Sequence, residues 1–238
     1  MSAMTATTSI GPEAYASWRA TPLGKVTEAI EQRLIFDLMG DIDHARVLDA
    51  GCGDGALACA AALRGAAVIG VDPDPAMLAA ARARAKQAGV EAAFSEGRIE
   101  SLPFAGASFD VVVAITVLCF VADAAAALRE LVRVLRPGGR LVLGELGRWS
   151  LWAPIRRVRG WLGASTWVAA RFRTASELRA LAEQAGLRVT TTRGAVFYPP
   201  LGLCARVLSP ADLGLGRLTT VGAAFLALSA MRSPGARR

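Results

Sequence analysis

Apolar and polar positions along this chain follow two rhythms. Between Gly24 and Met39, the residues Val26, Ile30, Leu34 and Leu38 recur every fourth position and mark one face of a helix. A shorter helix is predicted over Pro12 to Arg19. The rhythm then changes to compact apolar runs separated by helical stretches. Ala45 to Ala50, Ala67 to Asp72, Glu91 to Ser95 and Phe109 to Ile115 read as four short strands. The last of these, FDVVVAI, is apolar on both faces, as a covered parallel strand is.

Helices are expected between and after these strands. One covers about Asp54 to Arg64. An Ala-rich one runs from Pro75 to Ala88, with proline suited to its first turn and Gly89 to its end. Another covers Asp123 to Leu135, with Asp123 as N-cap. Pro137-Gly138-Gly139 turns sharply into a fifth strand, Arg140 to Glu145. Thr174 to Ala185 opens with the capping box Thr174 and Glu177, and Gly186 closes it. Leu187 to Tyr198 and Gly222 to Met231 are strand-like. Strands alternating with helices mean right-handed crossovers and a largely parallel, doubly wound α/β sheet. Gly147 to Arg173 breaks the alternation and reads as an insertion. Residues 1–11 read as a disordered tail and residues 12–238 as one domain.

Composition narrows the class. Apolar residues are 53% of the 238 and charged residues 20%, enough for one full core. The net charge of +7 suits either an anionic partner or arginine-solvated helix faces. Cys52, Cys59, Cys119 and Cys204 form no CxxC pair, and His44 is the only histidine, so no metal site is expected. The N-terminal residues lack a basic segment followed by an apolar one, so no secretory leader is expected. The longest apolar run, Val221 to Met231, is too short to span a membrane. The expected location is cytoplasmic.

The informative stretch is VLDAGCGDG, Val47 to Gly55. A strand ends in an acid, Asp49, and Gly51, Gly53 and Gly55 turn into a helix. Glycine there admits positive φ and close approach of a ligand to the backbone. The helix start offers free N–H groups. Asp72, at the end of the next strand, can accept both hydroxyls of a ribose. A glycine turn with a ribose acid is generic for nucleotides and leaves an NAD-dependent oxidoreductase open. The spacing GxGxG rather than GxGxxG, and a carboxylate that would repel a pyrophosphate, favour a cationic nucleoside instead.

These residues resemble motif I of the class I S-adenosylmethionine-dependent methyltransferases. The match is to the small-molecule, type 11 branch that includes the ubiquinone and menaquinone methyltransferases. VIGVDPDPAML (Val68 to Leu78) and ALRELVRVLRPGGRLVLGE (Ala127 to Glu145) match two further family motifs. The resemblance covers residues 10 to 145 well. It implies S-adenosyl-L-methionine as cofactor and a seven-stranded, Rossmann-like sheet of order 3-2-1-4-5-7-6 with an antiparallel last strand. It places Asp49, Ala50, Gly51, Cys52, Gly53, Asp72, Pro73, Met77, Ile99, Glu100 and Ile115 around the cofactor. YASWRATPLGK resembles a family lead-in that folds over the methionine end, which adds Tyr15, Trp18 and Thr21 within a cofactor-covering segment, residues 12–40. Arg98 stands where the family usually has an adenine-binding Asp. An arginine cannot accept a hydrogen bond, so it is expected to stack on the adenine or pair with Glu100.

Methyl transfer from a sulfonium needs alignment and exclusion of water more than side-chain chemistry. Thr116, Cys119 and Phe120, after the fourth strand, should face the acceptor. Glu145 is the one weak candidate for a base, with a structural role or a place near the cofactor ammonium as the competing reading. His44 is expected at the surface. The insertion, residues 147–173, holds Trp149, Trp152, Trp161, Trp167 and Phe172 with six arginines and no acid. Leu151, Ile155, Val158 and Leu162 fall at helical spacing. Such a segment can be a lid that selects a small hydrophobic or aromatic acceptor, or a peripheral contact with an anionic membrane. Nucleic acid is disfavoured, since no RNA-binding signature is present. Trp149, Trp152 and Tyr198, in the loop YPPLG, are expected to line the acceptor pocket. Beside this enzyme reading stands a second, a non-catalytic cofactor-binding module.

Overall fold

The computed structural model describes residues 11–234. The tail expected over residues 1–11 lies outside them except for Gly11. In chain order the elements are α1 (Pro12–Ala20), α2 (Pro22–Met39), β1 (Arg46–Ala50), α3 (Ala56–Ala62), β2 (Ala67–Asp72), α4 (Pro75–Ala88), β3 (Ala92–Glu96), β4 (Phe109–Ile115), α5 (Ala124–Val134), β5 (Leu135–Leu146), α6 (Trp152–Trp161), α7 (Ser165–Ala169), α8 (Ala175–Gln184), β6 (Leu187–Ala195), α9 (Gly202–Leu218) and β7 (Phe225–Arg232). The strands form one sheet, β3-β2-β1-β4-β5-β7-β6. All pairings are parallel except those of β7, which runs antiparallel between β5 and β6.

Alternation along the central strands sorts the core into two layers. Leu48, Val112, Ala114, Leu141 and Leu143 pack on one face with Leu128 and Leu131 of α5 and Leu178 of α8. Val47, Val111, Val113, Val142 and Phe225 pack on the other with Ile30, Leu34 and Leu38 of α2 and with Ala58 of α3. Each large aliphatic side chain buried this way stabilises the fold by about 1.5–3 kcal/mol.

Capping follows the sequence reading in three places. Asp74 and Asp123 accept from the first-turn N–H groups of α4 and α5, and Thr174 with Glu177 forms the reciprocal box of α8. Several boundaries differ. The glycine-turn helix starts at Ala56, because Gly55 is left-handed (φ 75°). The fifth strand begins at Leu135, ahead of the Pro-Gly-Gly turn. The sixth ends at Ala195, because Val196 turns left-handed (φ 62°) and Asp212 captures the N–H groups of Val196 and Phe197 at 2.8 Å each. Helix α9 has no counterpart in the sequence reading. It carries Pro210 inside and three glycines, so its propensity is poor. Packing against α2 and β6 holds it.

Candidate active site

The carboxyl ends of β1, β2 and β4 open on one side of the sheet. There β1 runs into a turn whose three glycines all have positive φ: Gly51 at 80°, Gly53 at 53° and Gly55 at 75°. The N–H groups of Gly51 and Cys52 donate to the Val71 carbonyl at 2.7 and 3.0 Å, which ties the turn to the end of β2. A Cβ on Gly51 would lie 2.2 Å from Val117 Cγ2, so the loop after β4 closes tightly here. A Cβ on Gly53 would meet nothing within 4 Å, so that stretch of backbone is open to a ligand.

Two acids flank the turn. Asp72 is held by its own surroundings: Oδ2 accepts from Gly53 N–H and Oδ1 from Asp74 N–H, each at 2.9 Å. Its remaining lone pairs can take ribose hydroxyls. Asp49 is buried, and its Oδ2 has no partner. Burial, reinforced by the charge of Asp72, pushes its carboxyl up to about 7. A buried carboxylate oxygen without a partner beside an open glycine backbone fits a ligand that brings positive charge and hydroxyls. An adenosyl sulfonium with its ammonium does both.

The N-terminal helices reach this turn. Asp54 accepts from Arg19 of α1 at 2.5 Å and from Arg84 of α4 at 2.6 Å. Arg19 also pairs with Glu28 and lies 4.2 Å from the Tyr15 ring centre. The Tyr15 and Trp18 rings are stacked, with centres 6.0 Å apart. Met77 and Ile99 are buried, while Pro73 is exposed. Arg98 takes the second of its expected options: it is exposed and pairs with Glu100 at 3.2 Å. Thr21 does not present a free hydroxyl. Its Oγ1 caps α2 by accepting from Gly24 N–H and donates to the Trp18 carbonyl.

Across the opening, the loop after β4 is strained. Thr116, a β-branched residue, is left-handed at φ 52°. Such strain is concentrated at functional sites. Phe120 is partly exposed, at 40%.

Three acceptor-side expectations are corrected. Cys119 is fully buried with Leu146, Ala153 and Phe172, and burial raises its thiol well above the ordinary range, so it is packing. Glu145 is fully buried, and its Oε2 accepts from Arg173 Nη1 at 2.7 Å. Arg173 also donates to the Leu118 carbonyl. The pair joins the β4 loop to the lid's end and makes Glu145 an ion-pair partner in the scaffold, although its Oε1 has no hydrogen-bond partner. Tyr198 is fully buried too, its hydroxyl 3.0 Å from Thr27 Oγ1.

The insertion folds as α6 and α7. Trp152 is buried, and its indole N–H donates to the Tyr198 carbonyl at 2.7 Å. Trp149 is 66% exposed and faces outward. Arg156 stands between the rings of Trp152 and Trp167, 4.9 and 5.0 Å from their centres. His44 is exposed before β1. The sequence reading missed Asp54, Glu31 and Arg156. Their signal was weak, since each is one charged residue on a helix or turn rich in charge.

Comparison with known proteins meets this geometry. A methyltransferase-domain family model matches residues 48–143. A ubiquinone biosynthesis O-methyltransferase from Ruegeria is 33% identical over 205 residues, 83% of this chain and 82% of that one. The chain belongs to the class I S-adenosylmethionine-dependent methyltransferases. An uncharacterised protein of Mycobacterium tuberculosis is 35% identical over 92% of this chain and 71% of its own length. The crystal structure of a Thermotoga maritima S-adenosylmethionine-dependent methyltransferase has the same fold. Its TM-score is 0.71 at 24% identity, over 93% of this chain and 96% of that one. The methyltransferase is thus an enzyme whose cofactor is S-adenosyl-L-methionine, and its sheet is that of the family.

Proposed function

We propose that this methyltransferase transfers a methyl group to a small aromatic acceptor admitted beneath α6 and α7. The observation that carries the reading is the pair of lid indoles, Trp152 and Trp167, that flank Arg156, with Trp167 packed on the cluster that holds Cys119 of the loop after β4. The Ruegeria relative's name, which refers to an O-methyltransferase of ubiquinone biosynthesis, supports an acceptor of this kind.

When bound, the cofactor supplies a methyl already activated on sulfur. Asp72 would hold the ribose, and the open backbone at Gly53 would admit the nucleoside. Asp49 would face the positive charge, and α1 with Tyr15 would cover the methionine end. The protein's main contribution is alignment and dryness, with a proton acceptor needed only where the acceptor atom carries a proton. Neither Cys119 nor Glu145 supplies a nucleophile or base.

The test is release of S-adenosylhomocysteine on incubation with S-adenosylmethionine and a panel of phenols, arylamines and aliphatic alcohols. Turnover confined to the aliphatic members defeats the proposal. A second reading is favoured by the rim of the lid. Trp161 and Leu162 are 84% and 82% exposed beside Arg157 and Arg159, a composition suited to anionic lipid. Vesicle sedimentation with and without anionic lipid tests it.

A further inference from the structure

Arg156 is only partly exposed, and its Nη1 is wholly buried with no hydrogen-bond partner. Leaving a charged donor unsatisfied inside a protein is expensive, so the site points to a ligand atom. The two indoles fix the guanidinium plane but accept no conventional hydrogen bond from it. Glu31 of α2, also partly buried, lies within electrostatic reach of it. Arg156 is the strongest positive influence on Glu31, and Glu31 the strongest negative influence on Arg156. Yet among the described residues no ion pair joins them. Tyr15 of α1 and Cys119 of the β4 loop are the next charge-sensitive neighbours of Arg156, so the space between the pair borders the cofactor-covering helix and the acceptor loop.

A donor without an acceptor and a carboxylate set apart from it match one small group. A hydroxyl carries one donor hydrogen and two acceptor lone pairs. A hydrocarbon would leave both residues unsatisfied. A carboxylate would add a second negative charge next to Glu31 and Glu28. We propose that a phenolic hydroxyl of the acceptor bridges Arg156 and Glu31, with Arg156 donating to its oxygen and Glu31 accepting its proton. This deepens the aromatic-acceptor reading and rests on it. In the transfer, the oxygen–methyl bond forms as the methyl–sulfur bond breaks. The hydroxyl proton passes to the Glu31 carboxylate and then to solvent, and the sulfonium charge is lost as a neutral thioether leaves. Arg156 steadies the oxygen while it carries negative charge.

Glu31 is pushed up to about 7 by burial. The charges acting on it are Arg156 of α6, Arg19 of α1, Glu28 of its own helix and Asp212 of α9. It is therefore a carboxylate, ready to accept, above about pH 7.

The experiment is ligand-observed NMR titration of the full chain saturated with S-adenosylhomocysteine. The probes are 2-naphthol, 2-methoxynaphthalene and 2-naphthoate, one ring system with three substituents. The expected result is at least tenfold tighter binding of 2-naphthol than of 2-methoxynaphthalene at pH 8. That preference should fade below pH 7 and be lost in both Arg156→Gln and Glu31→Gln, with affinity for S-adenosylhomocysteine retained. Glu31→Gln is nearly isosteric and decides the matter alone if Arg156→Gln does not fold. Equal binding of naphthol and its methyl ether, a preference that survives Glu31→Gln, or tightest binding of 2-naphthoate overturns this inference and leaves the aromatic-acceptor reading standing. Failure of all three probes to bind overturns both.

Discussion

Two of the buried carboxylates at the open end of the sheet, Asp49 and Glu145, differ in what surrounds them. Asp49, at the end of β1, has an oxygen with no partner. Glu145, at the end of β5, is paired with the buried guanidinium of Arg173. Burial pushes both up to about 7. The fold supplies a counter-ion to Glu145, whose Oε1 nonetheless lacks a hydrogen-bond partner, and supplies none to Asp49. A buried carboxylate with no cation of the chain acting on it marks the cofactor half of the opening, and one held by its own guanidinium marks the scaffold half.

The sharpest way to break this contrast is Glu145→Ala. It leaves Arg173 buried without its carboxylate, and loss of about 3–5 kcal/mol is expected in denaturant unfolding. A loss under 1 kcal/mol would place Glu145 among groups the fold does not need. Next in size, Asp72→Ala should weaken S-adenosylhomocysteine binding by about 1–3 kcal/mol, read by calorimetry, beyond the stability lost with its two backbone hydrogen bonds.

Asp49 gives a pH signature of a known sign. Its folded value lies above the unfolded value of 3.8, so the folded chain binds more protons and stability without ligand falls as pH rises from about 4 to 7. A cationic ligand favours the charged form, so cofactor affinity should rise over the same interval. Asp49→Asn should flatten the affinity trend and lessen the stability trend, to which Glu31 and Glu145 contribute with the same sign, in thermal-shift profiles. If the wild type shows neither trend, Asp49 is not facing the ligand's charge. The smallest effects belong to the lid rim. Trp161→Ser should change stability by no more than about 0.5 kcal/mol by chemical unfolding, because that ring is already in water.

The same contrast explains what could be read from the sequence. The turn at Gly51 to Gly55, the acid at Asp72 and the order of the strands follow from local rules: positive φ, short apolar runs and caps. Those rules also gave the capping box at Thr174. What escaped was set by distant partners. Helix α9 carries Pro210 and glycines, so its own propensity argues against it, and only contact with α2 and β6 keeps it. Glu145 looked like a candidate base because Arg173 is 28 positions away and no local pattern announces the pairing. Tyr198 looked like pocket lining because its partner, Thr27, lies 171 positions earlier. Thr21 carried a family role, but its hydroxyl is taken by the cap of α2. Arg156 and Glu31 were ordinary helix charges until folding brought them within electrostatic reach of each other.

The placing of β7 has a consequence for how the molecule is made. β6 reaches the sheet only through β7, while β5 and β7 pair from Arg140 to Leu146. On the ribosome, β5 therefore emerges with one edge bare and waits for about 80 more residues before its neighbour exists. An exposed strand edge recruits other chains, so the nascent methyltransferase passes through a window in which self-association competes with completion. Arg232 helps end that window: its guanidinium reaches back to the carbonyls of Val132, Arg133 and Leu135, latching the last strand to the root of the first one it must cover.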